Sequence, residues 1–323
     1  MKLIDAIYCV LLATLVGASA AAHAQSYPNK PIRMVVPWPA GGITDVIARA
    51  VGLHFAEALG QQVVIDNRPG AGSTLGAALV AKAVPDGYTL LMNDLGGHCI
   101  SPSLYSNLPY DGVKDFAPVA LVAGSPMVLV ANPTLGVRTL PQLIELAKSK
   151  PRQFNYASSG SGAITHLGAV RLMRMVGIDL VHVPFKGSGP ATSSVITGET
   201  SVAFSTMPSA VPQAKAGRLV LLAVSFPKRS PQLPEVPTIA ETVGDFDLGL
   251  YSGLWAPAGT PRDIVAKLHS EIVRALDQPK VKEILAVNSA EPGRMKTAQF
   301  GEYVAKEVRT WNDIVRSAGI KID

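Results

Sequence analysis

Met34-Val35-Val36-Pro37-Trp38-Pro39-Ala40-Gly41-Gly42-Ile43-Thr44-Asp45 carries an apolar strand through a glycine-rich turn into a helix, and this stretch constrains the fold most. Ile32 to Val36 is short, apolar and rich in β-branched residues, which suits a strand buried on both faces. Pro37 and Pro39 stop it. Beyond them Val46, Ile47, Ala50, Val51, Leu53 and Phe55 recur at near-helical spacing, while Asp45, Arg49, His54 and Glu57 supply a wetter side. Thr44 is the expected N-cap. The first-turn amides of such a helix lack intrahelical acceptors, and the macrodipole adds about half a positive charge there, so the turn suits a carboxylate or phosphate. Gly41 and Gly42 let a ligand approach the backbone, and Trp38 offers an apolar wall with one N–H donor. The alternative is an ordinary strand-to-helix turn with a buried Trp.

The same pattern recurs along the chain. Gln62 to Asn67 reads as a second strand, and Arg68-Pro69-Gly70-Ala71-Gly72-Ser73 as a turn into a helix over Thr74 to Ala83. Gly70, Gly72 and Gly76 miss the dinucleotide fingerprint by one position, and no acidic residue follows at the right distance. A third strand over Tyr88 to Met92 delivers Asn93, Asp94 and Gly96-Gly97 to its end, where Asn93 is a ligand candidate and loop capping is the alternative. Val119 to Ala123 and Met127 to Val130 read as two strands separated by Gly124-Ser125-Pro126. Phe154 to Ala157 then enters Ser158-Ser159-Gly160-Ser161-Gly162-Ala163-Ile164-Thr165-His166 before a helix from about Leu167 to Val176, a second anion-friendly turn. Lys186, in a glycine-rich loop after the strand Leu180 to Val183, and Thr206, at the end of the strand starting at Val202, add candidate polar groups. Each has a bland alternative, a solvated lysine and a strand-end hydroxyl. Helices over Arg262 to Ala275 and Thr297 to Ala318 close the chain and are expected to pack back on the first lobe.

Several function classes drop out. Ser161 lacks the flanking glycines of a nucleophile elbow, although Gly160 and Gly162 adjoin it. His98 beside Cys99 invites thiol chemistry, but adjacent strand residues face opposite ways and no orienting group is evident. His166 would touch a ligand or serve a structural role. The six His show no zinc-like spacing, so neither a metal nor a cofactor is expected. A net charge of +5 favours anions generally, while scattered basic residues without interleaved aromatics argue against nucleic acid. With 323 residues the chain is long enough for two domains with real cores. Residues 1–24 read as a secretory signal: Lys2, an apolar run from Ala6 to Val16, and Ala22-His23-Ala24 for cleavage. Cys9 falls within it, so the mature chain keeps only Cys99 and no disulfide within a monomer.

Taken in order, many short segments resemble one family. They are Tyr27-Pro28 with Pro31-Ile32, the Pro37 to Asp45 turn, Asn67-Arg68-Pro69-Gly70-Ala71-Gly72, Asp86-Gly87-Tyr88-Thr89-Leu90 and Lys114-Asp115-Phe116-Ala117-Pro118. Then come His182-Val183-Pro184-Phe185-Lys186-Gly187, Leu233-Pro234-Glu235-Val236-Pro237-Thr238 and Ala256-Pro257-Ala258-Gly259-Thr260-Pro261. Over essentially the whole mature sequence the chain resembles the periplasmic solute-binding proteins of tripartite tricarboxylate transporters, the Bug or TctC family. The resemblance implies an α/β, two-lobed periplasmic binding protein (type II, Venus flytrap) hinged on crossover strands, with no catalytic activity. Lobe 1 would comprise 25–124 and 226–323, and lobe 2 125–225. It implies a monomer in the periplasm that passes a small carboxylated molecule to membrane permease subunits. Carried over residue by residue, the ligand-binding positions are Trp38, Ala40, Gly41, Gly42, Thr44 and Asp45, with Ser158, Ser159, Ser161, Gly162, Thr165 and His166. Asp45 would orient its turn or meet a ligand amine. Val170, where relatives often carry an acidic residue, and the Asn93 to Gly97 loop, in place of a more hydroxyl-rich one, depart from the family pattern and bear on ligand identity. A secreted α/β hydrolase and a ligand-sensing module are the alternatives.

Overall fold

A computed structural model describes residues 27–105 and 107–319; the signal segment expected over residues 1–24 lies outside them. The first strand, β1 (Ile32–Val36), is flanked in parallel by β2 (Val63–Asn67) and β3 (Thr89–Asp94). Alternate residues of β1 and β3 go to opposite faces. Ile32, Met34, Val36, Leu90 and Met92 pack under α1 (Ile43–Leu59), α9 (Arg262–Asp277) and α10 (Pro279–Val287). Val35 and Leu91 pack with α2 (Thr74–Ala81), α3 (Leu95–Leu104) and α11 (Thr297–Ala318). Both faces are therefore covered over Met34 to Val36, as that apolar run requires, while Arg33 stays half-buried and pairs with Asp66 of β2.

The strand β4 (Phe116–Ala131) ties the molecule together. Its first part pairs antiparallel with β9 (Gly249–Pro257), which in turn pairs with β3, and the two-residue β10 (Glu291–Pro292) joins β4 at Ala123 and Gly124. From Met127 onward β4 changes partners, to β7 (Val202–Thr206) and β8 (Val220–Val224). Parallel strands β5 (Asn155–Ser158) and β6 (Val181–Pro184) extend this second region, giving the order β2-β1-β3-β9-β4-β7-β5-β6. Helices α4 (Leu140–Ser149), α5 (Ile164–Val176), α6 (Ser188–Thr197) and α7 (Met207–Lys215) cover it, and the short α8 (Ala240–Val243) precedes β9. The product is a two-lobed α/β molecule, with α9 against α1 and α11 against α3 completing the first lobe from the far end of the chain.

Three local expectations change. Gly124-Ser125-Pro126 does not divide two strands, because the chain stays extended through it; Gly124 is small for a packing reason, since a Cβ there would lie 2.5 Å from the Tyr251 ring. His98 and Cys99 sit on helix α3, not on a strand, and both are buried. The anion-friendly helices also begin earlier than the spacing suggested. Gly42, not Thr44, caps α1, and α5 starts at Ile164 rather than near Leu167.

Candidate ligand-binding site

Three strand-to-helix junctions, β1 to α1, β3 to α3 and β5 to α5, meet around one cavity of about 620 Å³. At the first, the N-cap Gly42 is extended (φ −71°, ψ 163°) and no side chain caps the helix, so its opening amides have no partner within the helix. Gly41 precedes it at φ +85°, a conformation that favours glycine, and donates its N–H to Asp45 Oδ2 at 2.8 Å. The same oxygen accepts from Arg49 Nε at 2.9 Å, and Asp45 Oδ1 accepts from Asn67 Nδ2 at 2.9 Å. Asn67 Nδ2 also reaches the Trp38 carbonyl at 3.1 Å. Burial works against the Asp45 charge, yet the hydrogen bonds from Arg49, Gly41 and Asn67 hold its carboxyl below the usual range. Asp45 is thus a brace beneath the turn.

The second junction mirrors the first. Ala163 is the N-cap of α5, extended (φ −67°, ψ 158°) and again without a side-chain cap. Thr165 and His166, in the first turn of the helix, reach back to hold the loop: Ser159 N–H donates to Thr165 Oγ1 at 2.9 Å, and Gly162 N–H donates to His166 Nδ1 at 3.0 Å. Ser158 Oγ lies 2.6 Å from His182 Nε2. The imidazoles of His166 and His182 stack at 3.8 Å between centroids, and Tyr156 stacks on His182 at 4.9 Å. Burial, with His182 alongside, lowers the His166 pKa to about 4, and burial lowers that of His182 too. A neutral His166 is what the Gly162 N–H requires, since Nδ1 must accept.

At the third junction the helix caps itself. Asp94 Oδ1 accepts from Gly97 N–H at 2.6 Å. Burial pushes the Asp94 carboxyl up to about 6 against the pull of the Gly97, Asp94 and Gly96 amides. Beside it Asn93 Oδ1 accepts from Trp38 Nε1 at 2.9 Å, while Asn93 Nδ2 donates to Ser73 Oγ at 3.2 Å. Gly97 permits this crowding, since a Cβ there would lie 2.5 Å from Ser73 Oγ and 3.0 Å from the Trp38 ring. Ile100, Leu104 and Tyr105 from α3 and its end, with Leu250 from β9, give the cavity an apolar wall.

The family described as the tripartite tricarboxylate transporter family receptor matches residues 47–320. The chain belongs to this family. Among its relatives is Protein BugT of Bordetella pertussis, 34% identical over 319 residues, covering 98% of each chain. A solved R. palustris protein with adipate is 32% identical at a TM-score of 0.74, over 92% of this chain and 100% of the other. MatC from Rhodopseudomonas palustris with bound malate is 35% identical at a TM-score of 0.70, over 90% and 100%. A receptor of this family binds a solute and works with a tripartite transporter; it is not an enzyme. Its relatives include periplasmic binding proteins, and among the described residues no helix is long and apolar enough to cross a membrane.

Within this TctC-family receptor the candidate residues divide into three groups. Trp38, Gly42, Thr44, Ser159, Ser161 and Gly162 line the cavity. Asp45, Ser158, Thr165 and His166 are buried behind the two turns, and Asn93 is fully buried behind Trp38. The Trp38 N–H that looked free for a ligand is engaged by Asn93, so Trp38 presents a ring face alone. Ala40 and Gly41 are exposed outside the cavity lining, as is Lys186. Thr206 also lies outside it, where its hydroxyl meets Ser209 Oγ at 3.0 Å. Asp94, Ile100, Ser101, Leu104, Tyr105, Leu250 and Ser252 complete the wall and were not candidates. The signal for three of them was the helical spacing Ile100, Ser101, Leu104, hidden because Gly96-Gly97 reads as loop.

Cys99 is inert where it stands. It is buried, and burial followed by the nearby Glu307 and Asp94 charges raises its thiol well above the ordinary value. Its neighbour His98 stacks on Trp255 at 4.3 Å and meets the Gly112 carbonyl at 2.8 Å, a core role.

Proposed function

We propose that this receptor captures a small carboxylated solute between its lobes and delivers it to the membrane permease subunits of a tripartite tricarboxylate-type transporter. One observation carries the reading: two helices, one in each lobe, turn uncapped N-termini toward the same cavity. A carboxylate held by both ends neutralises both macrodipoles and satisfies amides that otherwise need water. Contact falls to the cavity-facing Gly42, Thr44, Ser159, Ser161 and Gly162 with the Trp38 ring as a wall, while Asp45, Asn93, Ser158, Thr165 and His166 keep those groups in place. Because the two turns belong to different lobes, the ligand favours the closed arrangement by the difference in its contacts. The lobes are 25–124 with 226–323, and 125–225, a boundary supported by the exchange of β4 partners between Pro126 and Met127.

The protein acts as a periplasmic monomer beginning near Gln25 after removal of residues 1–24. The adipate and malate of two relatives motivate the first screen. The protein is unfolded and refolded to strip carried-over ligand, then melted with dicarboxylates, tricarboxylates, acidic and apolar amino acids and aromatic acids. A binder at a hundredfold excess over Kd stabilises the native state by about 2.7 kcal/mol, so a shift of several degrees with at least one carboxylate is expected. No shift with any would refute the reading. N-terminal sequencing of the exported protein and light scattering test the start site and the monomer.

A further inference from the structure

We infer that Asp94 sets the class of ligand: the cavity takes a monocarboxylate with an apolar body and a hydrogen-bond donor, above all an ammonium, and discriminates against dicarboxylates and tricarboxylates. The inference rests on the carboxylate reading above and deepens it. Among the described residues lining the cavity there is no Lys, Arg or His, and Asp94 is the one carboxylate. It is placed by β3 pairing, opposite Ser252 of β9, at the point where the strand passes into α3. Its Oδ1 is engaged by the Gly97 amide, but no side chain donates to the group and no cation stands near it among the described residues. The wall beside it is Ile100, Leu104 and Leu250.

The cavity therefore has two unlike poles set close together: a Cβ on Gly96 would lie 2.9 Å from Asp94 Oδ1 and 3.8 Å from the Ile164 Cβ at the start of α5. At one, the uncapped starts of α1 and α5 offer N–H groups and hydroxyls to an anion. At the other, the equivalent helix start is already neutralised by a carboxylate belonging to the protein. A second ligand carboxylate at that pole would face Asp94 in a water-poor space with no cation between them, and like charges repel strongly there. A ligand ammonium at the same place pairs with Asp94, to which no side chain among the described residues donates. The apolar wall of Ile100, Leu104 and Leu250 accommodates the carbon body of the ligand beside the two poles.

Matched ligands isolate the effect of the second pole. Titration calorimetry at pH 8 would compare adipate with 6-aminohexanoate, and succinate with 4-aminobutanoate, with hexanoate as the monocarboxylate lacking a donor. The expected result is at least tenfold tighter binding of the amino acid in at least one pair. Asp94→Asn, which retains an oxygen to cap α3, should shrink that preference at least tenfold. Asp94→Ser, another good N-cap, repeats the comparison should the first variant fold poorly. The proposal falls if the dicarboxylates bind as tightly as their partners, or if the preference survives in both variants. Binding of none of these compounds, hexanoate included, overturns the carboxylate reading together with it, whereas tight adipate binding overturns the proposal alone.

Discussion

Gly42 is the residue on which the carboxylate site turns. Its φ of −71° suits any residue, and a Cβ would lie 3.4 Å from the Pro39 carbonyl, ordinary contact, so Gly42→Glu should fold. The added carboxylate enters the cavity at its anion pole. Carboxylate binding should fall below detection by calorimetry while Tm stays within a few degrees; unchanged affinity would remove this turn from the site. The buried histidines make a second prediction. Burial lowers His98 to about 4, and burial with His182 alongside lowers His166 similarly, so between about 4 and 6.5 the native state binds fewer protons than the unfolded chain. Their stabilisation is present above 6.5 and is lost as pH falls toward 4. Asp94 and Glu307, each raised to about 6 by burial, titrate in the opposite sense, so the effect is read as a difference. Denaturant unfolding at pH 7 and pH 4.5 should show a smaller loss in His98→Gln than in the parent. At this scale the sequence exposed the cavity-facing glycines and serines, because their types mark open backbone. Asp45 was expected to orient its turn or meet a ligand amine, and it braces the turn; for Asn93 and His166 the reading stayed open, since a polar side chain beside a turn reads the same whether it faces the ligand or holds the loop.

Among the elements, the brace beneath the first turn is the most informative. Asn67, the last residue of β2, joins Asp45, Arg49 and the Trp38 carbonyl across three segments. Asn67→Ala leaves the Asp45 carboxylate with one donor fewer and should cost about 1–3 kcal/mol in unfolding free energy, with weaker carboxylate binding as the turn loosens. Arg49→Ala, on an exposed side chain, should cost less, about 1 kcal/mol or under. Cys99→Ser, deep on α3, should alter stability but leave carboxylate affinity within about twofold. The alternation of strands and helices was legible because a short apolar, β-branched-rich run such as Ile32 to Val36 differs plainly from the near-helical spacing of Val46 to Phe55. Helix α3 was not, because Gly96-Gly97 opens it and glycine normally signals a loop; here Gly97 is required by the nearness of Ser73 and Trp38. Gly124 misled for the same reason, its size fixed by the Tyr251 ring of a strand far away in sequence.

For the whole molecule, the long strand β4 and its partners decide what can move. Gly293, beside β10, packs so closely that a Cβ would lie 2.1 Å from the Leu121 carbonyl. Gly293→Ala should therefore lower stability by about 1–3 kcal/mol, measured by denaturant unfolding, by prising β10 from β4. Ligand binding in a cavity shared by the lobes should also reduce the radius of gyration in small-angle scattering, and an unchanged radius would argue against closure. The expectation of two lobes came through family resemblance rather than through composition or periodicity, which mark elements but not which strands pair. The pairing of β3 with β9 joins Leu91 to Trp255 and Asp94 to Ser252. During synthesis, then, β3 stays an open sheet edge until the chain has been made beyond residue 257, with β5 to β8 produced in between. Such distant pairing slows folding and keeps the nascent chain loose, so a product truncated before β9 should be sensitive to proteases and prone to aggregate.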